Sequence, residues 1–218
     1  MKAKARISTL TMVQLALFSA IILAMAFIPG LGYIPLGITR ATIIHIPVII
    51  GSILLGPKKG AFLGGVFGLT SLINNTISPT ITSFTFSPFY PGGDFWSLVI
   101  CFVPRILVGI VPFFVYKGLS ALFKKQSNQK RTARLFDTIS LGISGFAGAF
   151  INTALVMSLI YIFFGQSYAA AKGVSYEALL SIVLGIVAVN GVLEAIIATI
   201  ITAFVCRVLI RVLKGILK

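Results

Sequence analysis

The sequence predicts an all-α membrane protein: six transmembrane helices in one bundle, with both termini in the cytoplasm. Three observations carry that expectation: a mean hydropathy of +1.07, six apolar runs separated by polar links, and basic residues gathered almost wholly on one side of those runs. Charged residues make up 10% of the chain, against roughly 25% in soluble globular proteins. No linker is long or polar enough to divide the chain, so residues 1–218 are expected to form a single integral membrane domain.

The first apolar run, Leu10 to Ile28, is long enough to span a bilayer. Lys2, Lys4 and Arg6 before it, with Ala24-Met25-Ala26 inside it, resemble a signal peptide, but the length of the run favours a retained span. The second run, Ile43 to Leu55, is short: as a helix it rises only about 20 Å against a hydrocarbon core of about 30 Å. A re-entrant segment is the alternative there. The remaining runs are Ala61 to Ile77, Phe95 to Tyr116, Phe136 to Phe164 and Ala178 to Ile210.

Six alternating spans collect fifteen of the eighteen basic residues on one side: Lys2, Lys4, Arg6, Lys58, Lys59, the group from Lys117 to Arg134, and Arg207, Arg211, Lys214 and Lys218. Only Arg40 and Lys172 fall on the other side, and Arg105 lies inside the fourth span. Lys and Arg in short loops mark the cytoplasmic face. A second run that failed to span would reverse the later loops, so charge supports the span that length leaves weak. Gly118 to Arg134 is the longest polar connection and is expected to be a flexible cytoplasmic loop. Outside, Ser78 to Asp94 interleaves Pro79, Pro88, Pro91, Gly92 and Gly93 with Phe84, Phe86, Phe89 and Tyr90. That composition excludes a regular helix and leaves two readings open, an aromatic belt at the headgroups or a lid over a cavity.

Several functions are excluded at this level. A net charge of +14 would point to nucleic acid in a soluble chain, but here the basic residues sit between apolar runs and read as topology signals, so no nucleic-acid partner is expected. Cys101 and Cys206 lie in apolar segments without metal spacing or a disulfide framework. His45, the sole histidine, reads as a packing residue. The only acids are Asp94, Asp137, Glu177 and Glu194, and no Gly-rich nucleotide loop ends in Lys-Ser or Lys-Thr. No catalytic residue, metal or cofactor is expected in this chain, and it cannot hydrolyse ATP by itself.

Two stripes of small residues recur at intervals of four: Ala16, Ala20 and Ala24 on the first span, and Gly60, Gly64 and Gly68 on the third. Each makes a smooth helix face against which another backbone can approach, with either an internal or an external partner. Arg105 costs at least about 2.5–3.5 kcal/mol in a span and needs compensation. Counted from the outer ends of their helices at about 1.5 Å per residue, Arg105, Asn152 and Asn190 reach a similar depth. Glu194 follows Asn190 by one turn on the same face and is the expected counter-ion for Arg105. Two readings remain: a buried polar network that joins helices four, five and six, or a cavity open to the outside in which Arg105 grips a carboxylate and the asparagines bond amide or hydroxyl groups.

The segments Gly32-Tyr-Ile-Pro-Leu-Gly-Ile-Thr-Arg-Ala-Thr-Ile-Ile-His-Ile-Pro-Val-Ile-Ile, Leu55-Gly-Pro-Lys-Lys-Gly-Ala, Val66-Phe-Gly-Leu-Thr-Ser-Leu72, Thr82-Ser-Phe-Thr-Phe-Ser-Pro-Phe89 and Phe95-Trp-Ser-Leu-Val, with the alanines of the first helix, resemble the S components of energy-coupling factor vitamin transporters, most of all their pantothenate branch. The resemblance implies a plasma-membrane, multi-pass subunit that binds a vitamin from outside and docks on a transmembrane coupling subunit driven by two ATPase subunits, which use the ATP. Transport would then follow toppling of the S component in the lipid bilayer. It implies that Ala16, Ala20 and Ala24 form the docking motif. It also places the site near the outer ends of helices four to six under the first and third loops, so that Thr42, Phe89 and Trp96 join Arg105, Asn152, Asn190 and Glu194 as candidate substrate-binding residues. Sister branches bind other vitamins, with pyridoxine, riboflavin and folate as alternatives. An intramembrane lipid-acting enzyme and a structural assembly subunit are the readings from other classes.

Overall fold

In the computed structural model, which describes residues 9–28, 30–36, 39–124 and 130–216, every apolar run forms a helix. A helix satisfies its backbone groups within its own segment where lipid offers no hydrogen-bond partner. Lys2, Lys4, Arg6, Lys125 and Lys218 lie outside the described residues.

Helix α1 runs Thr9–Phe27 and is followed by an antiparallel hairpin of β1, Tyr33–Leu36, and β2, Thr39–Thr42, in which Tyr33 pairs with Thr42 and Leu36 with Thr39. The sequence reading contained no strand. Helix α2, His45–Leu55, is as short as the apolar run implied; Gly56, at φ +93°, turns the chain and Pro57 opens α3, Pro57–Ile77. Glycine tolerates that φ, and proline suits the first helical position, where its missing N–H has no partner to lose. Beyond an irregular segment, α4 runs Phe95–Lys124 and α5 Lys130–Lys172. Helix α6, Tyr176–Ile186, continues through a π-helical turn, Val187–Gly191, into α7, Val192–Ile216.

Among the described residues, four stretches are long and apolar enough to cross a membrane: Thr9–Phe27, Phe95–Phe123, Arg134–Lys172 and Tyr176–Val212. Helix α2 has eleven residues, and α3 dilutes its apolar residues with Lys58, Lys59, Asn74 and Asn75. The expected loop from Gly118 to Arg134 is corrected: α4 continues to Lys124 and α5 starts at Lys130. Leu, Ala, Lys and Arg are good helix formers, so helix propensity carries both rods past the ends of their apolar runs.

The rods pack antiparallel. Along α3, a Cβ at Gly60 would strike the Gly109 carbonyl, one at Gly64 the Arg105 backbone, and one at Gly68 the Phe102 ring. The glycine stripe therefore seats α3 directly on α4. Helices α4 and α5 are pinned by ring stacking at both ends, Trp96 on Phe163 at 3.9 Å and Phe123 on Phe136 at 4.7 Å. One core gathers Ile22, Ile49, Leu63, Phe67, Val108 and Ala198; a second gathers Phe84, Ile100, Ile160, Phe164 and Leu179. Helix α1 contributes only Ile22 and Ala26 to the buried set, and its stripe of Ala16, Ala20 and Ala24 is exposed.

Candidate functional site

A cavity of about 670 Å³ opens among the helix ends nearest the hairpin and the segment 78–94. Its walls come from Thr42 of β2, from Phe67, Ser71, Asn74 and Asn75 of α3, from Thr80, Thr82 and Phe86 beyond it, and from Arg105 of α4. The facing wall holds Asn152, Thr153, Met157, Tyr168 and Lys172 of α5, Asn190 of the π turn and Glu194 of α7.

Arg105 is fixed by a neighbour's chemistry. Pro104 lacks the N–H that an α-helix would donate to the carbonyl four residues earlier. That carbonyl, of Ile100, instead accepts from Arg105 Nη1 at 2.8 Å. The guanidinium lies between two rings, its carbon 5.5 Å from the centre of Phe67 and 5.1 Å from that of Phe86, in cation–π range. Arg105 is thus held where its own helix lacks a backbone hydrogen bond, and it is 6% exposed.

The charge of Arg105 acts on Glu194, as expected, but the carboxylate takes its hydrogen bonds from other elements. Glu194 Oε1 accepts from the backbone N–H of Thr42 at 2.7 Å, and Oε2 accepts from Thr153 Oγ1 at 2.8 Å. Counting along one helix face could not foresee a donor from the distant hairpin. Asn152 is buried, and its Oδ1 has no hydrogen-bond partner among the described residues. The π turn accommodates one residue more than an α-helix would over that length, and it carries Asn190 at the cavity wall.

The segment 78–94 closes one side of the cavity. Ser83 Oγ donates to Asn75 Oδ1 at 2.9 Å and accepts from the Thr80 N–H at 2.8 Å, while Ser97 Oγ donates to the Phe84 carbonyl at 2.6 Å. Phe84 meets Phe164 edge-on at 5.6 Å. Asp94 caps α4 by accepting from the Trp96 N–H at 2.8 Å, and Ser97 Oγ accepts from the Asp94 N–H at 3.1 Å, a reciprocal cap that fixes where the helix begins.

Of the residues singled out from sequence, the structure brings Arg105, Asn152, Asn190, Glu194 and Thr42 to this one cavity. It places the other two elsewhere. Trp96 stacks on Phe163 at 42% exposure, and Phe89 is 76% exposed; neither lines the cavity. His45 is fully buried in the first turn of α2, also away from the lining. Sequence reasoning missed Ser71, Asn74, Asn75, Thr153 and Lys172. The adjacent Asn74-Asn75 pair inside an apolar run was a signal for the α3 wall, because polar groups in a span turn inward.

A family model described as "ECF transporter, substrate-specific component" matches residues 10–206. The chain belongs to this family. As a substrate-specific component it serves transport rather than catalysis, and its apolar helices are those of a membrane protein. The chain is 43% identical over 178 residues to the pantothenic acid transporter PanT of Lactococcus lactis subsp. cremoris, covering 79% of each chain. It is 36% identical over 201 residues to the pantothenate transporter PanT of Leuconostoc mesenteroides subsp. mesenteroides, covering 89% of each.

Proposed function

We propose that this substrate-specific component captures pantothenate from outside the cell for an ATP-driven importer. The observation that carries the reading is the cavity that groups a buried arginine with two asparagines. Pantothenate offers one carboxylate, a match for the guanidinium, and an amide and hydroxyls that suit Asn152 and Asn190. A volume of about 670 Å³ falls within the roughly 300–1,000 Å³ of small-molecule sites. The names of the two relatives support the same substrate.

The component lies in the plasma membrane as six spans with both termini inside, since Lys58, Lys59, Arg207 and Arg211 belong to the end of the bundle opposite the cavity. The exposed alanines of α1 meet the transmembrane coupling subunit, and two ATPase subunits supply the ATP chemistry, so the chain needs no cofactor of its own. Titration of the purified component with pantothenate, pyridoxine, riboflavin and folate tests the reading. Saturable binding of pantothenate below micromolar concentration is expected, with loss of at least about tenfold in affinity for Arg105→Ala, a charged hydrogen bond being worth about 1.5–3 kcal/mol. Binding of another vitamin with none for pantothenate would reassign the substrate, and unchanged affinity in Arg105→Ala would remove the carboxylate clamp.

A further inference from the structure

We infer that Lys172 is a second substrate-binding residue, an outer cation that meets the carboxylate of the incoming anion before Arg105 does. The inference rests on the reading of an anionic vitamin and adds a route to it.

Lys172 lines the same cavity as Arg105, and the fold builds its position. Helix α5 breaks at Phe164, whose φ of −126° and ψ of 17° are not helical, and whose ring is held against Phe84. The stretch beyond the break brings Tyr168, Ala171 and Lys172 to the cavity. Gly173, at φ +68°, then ends the helix: its N–H donates to the Ala170 carbonyl at 3.0 Å, and the Val174 N–H to that of Ala169 at 3.1 Å. This pair of bonds is a Schellman motif, and it fixes Lys172 as the last helical residue. The ammonium lies 5.8 Å from the centre of the Tyr168 ring.

The two cations differ in access. Arg105 is buried at 6% exposure beneath two phenylalanine rings, whereas Lys172 is half-buried. An anion can reach the lysine while still largely hydrated. A lysine also suits a transient contact, because its ammonium is a hydrated point charge on a flexible stem, unlike the planar fork of arginine. Lys58, Lys59, Lys117, Arg207 and Arg211 lie toward the opposite ends of their helices, so a lysine at the cavity is conspicuous. The lining sets Arg105 and Lys172 against one acid, Glu194, and an excess of positive charge in a cleft concentrates an anionic ligand and raises its association rate. The competing role is structural, since a cation at a helix C-terminus is stabilising. That role moves melting temperature but not the capture of anions.

The experiment is rapid-mixing binding of radiolabelled pantothenate to the purified component at low and high salt. Lys172→Gln should slow association by roughly three- to tenfold at low salt. The difference should shrink at high salt, where screening reaches both proteins equally. Dissociation should stay within about twofold, Lys172→Arg should restore association, and Lys172→Glu should slow it further. Association of Lys172→Gln that matches the wild type at low salt, or is slowed equally at both salts, would overturn the role. Failure of the wild type to bind pantothenate would instead overturn the substrate reading and the inference with it.

Discussion

The alanines of α1 and the glycines of α3 repeat at the same interval of four, and the structure treats them oppositely. Gly60 and Gly64 are buried against the backbone of α4 and Gly68 against its Phe102 ring, while Ala16, Ala20 and Ala24 are exposed on a helix that buries only Ile22 and Ala26. An interval of four ensures a smooth strip and says nothing of what covers it. Residue size carries the difference. Glycine lets two backbones touch, as those of α3 and α4 do; alanine keeps its Cβ, and under the proposed function that strip is left for the coupling subunit.

The largest effect is expected from Gly64→Leu, whose side chain would be driven into the backbone at Arg105 and Ile106. Overpacking costs about 1–3 kcal/mol even where side chains can yield, and backbone cannot. Both the melting temperature in detergent and pantothenate binding should fall, because the displaced helix is the one that presents the guanidinium. A well-folded Gly64→Leu protein with normal binding would show that α3 and α4 need not touch. Next is Ala20→Leu, which should leave pantothenate affinity within about twofold yet reduce uptake by the reconstituted importer about tenfold, because the added bulk obstructs only the external face. If binding is lost while assembly survives, the α1 stripe packs internally after all. The smallest effect belongs to Gly65→Ala. Gly65 adjoins the α3 stripe, but a Cβ there meets nothing within 4 Å. Helix propensity should then raise stability by up to about 1 kcal/mol, and a loss of stability would mean that the contact face of α3 is wider than its stripe.

The long helices were legible because burial in lipid imposes long apolar runs, and α1, α4, α5 and the α6–α7 rod each cover one, with α4 and α5 extending beyond theirs. The hairpin of Tyr33–Leu36 and Thr39–Thr42 was not legible, since four-residue strands leave little periodic signal. At the site, counting residues inward along each helix gave the common height of Arg105, Asn152 and Asn190. Height does not fix direction around the helix axis or contacts from another element. That is why the partners of Glu194 went unseen, and why Trp96, near the rim, turns to Phe163 instead of the cavity. Lys172 was legible only as a charge outside the membrane, because the break at Phe164 that brings it to the cavity occurs in an apolar run with no proline.

The π turn Val187–Gly191 absorbs one extra residue without putting the two halves of the rod out of phase. Deleting one residue there would let an ordinary α-helix run from Tyr176 to Ile216. The outer half, registered by α5 through Tyr161 and Tyr176, and the inner half, registered by Gly145 against Ala198 and Thr202, would both keep their places. What would be lost is the bulge itself, and with it the placement of Asn190 at the cavity wall. The centre of the rod is therefore the point where this chain can change length by one residue, and a related chain with a gap there should keep the bundle but present a different side chain to its ligand.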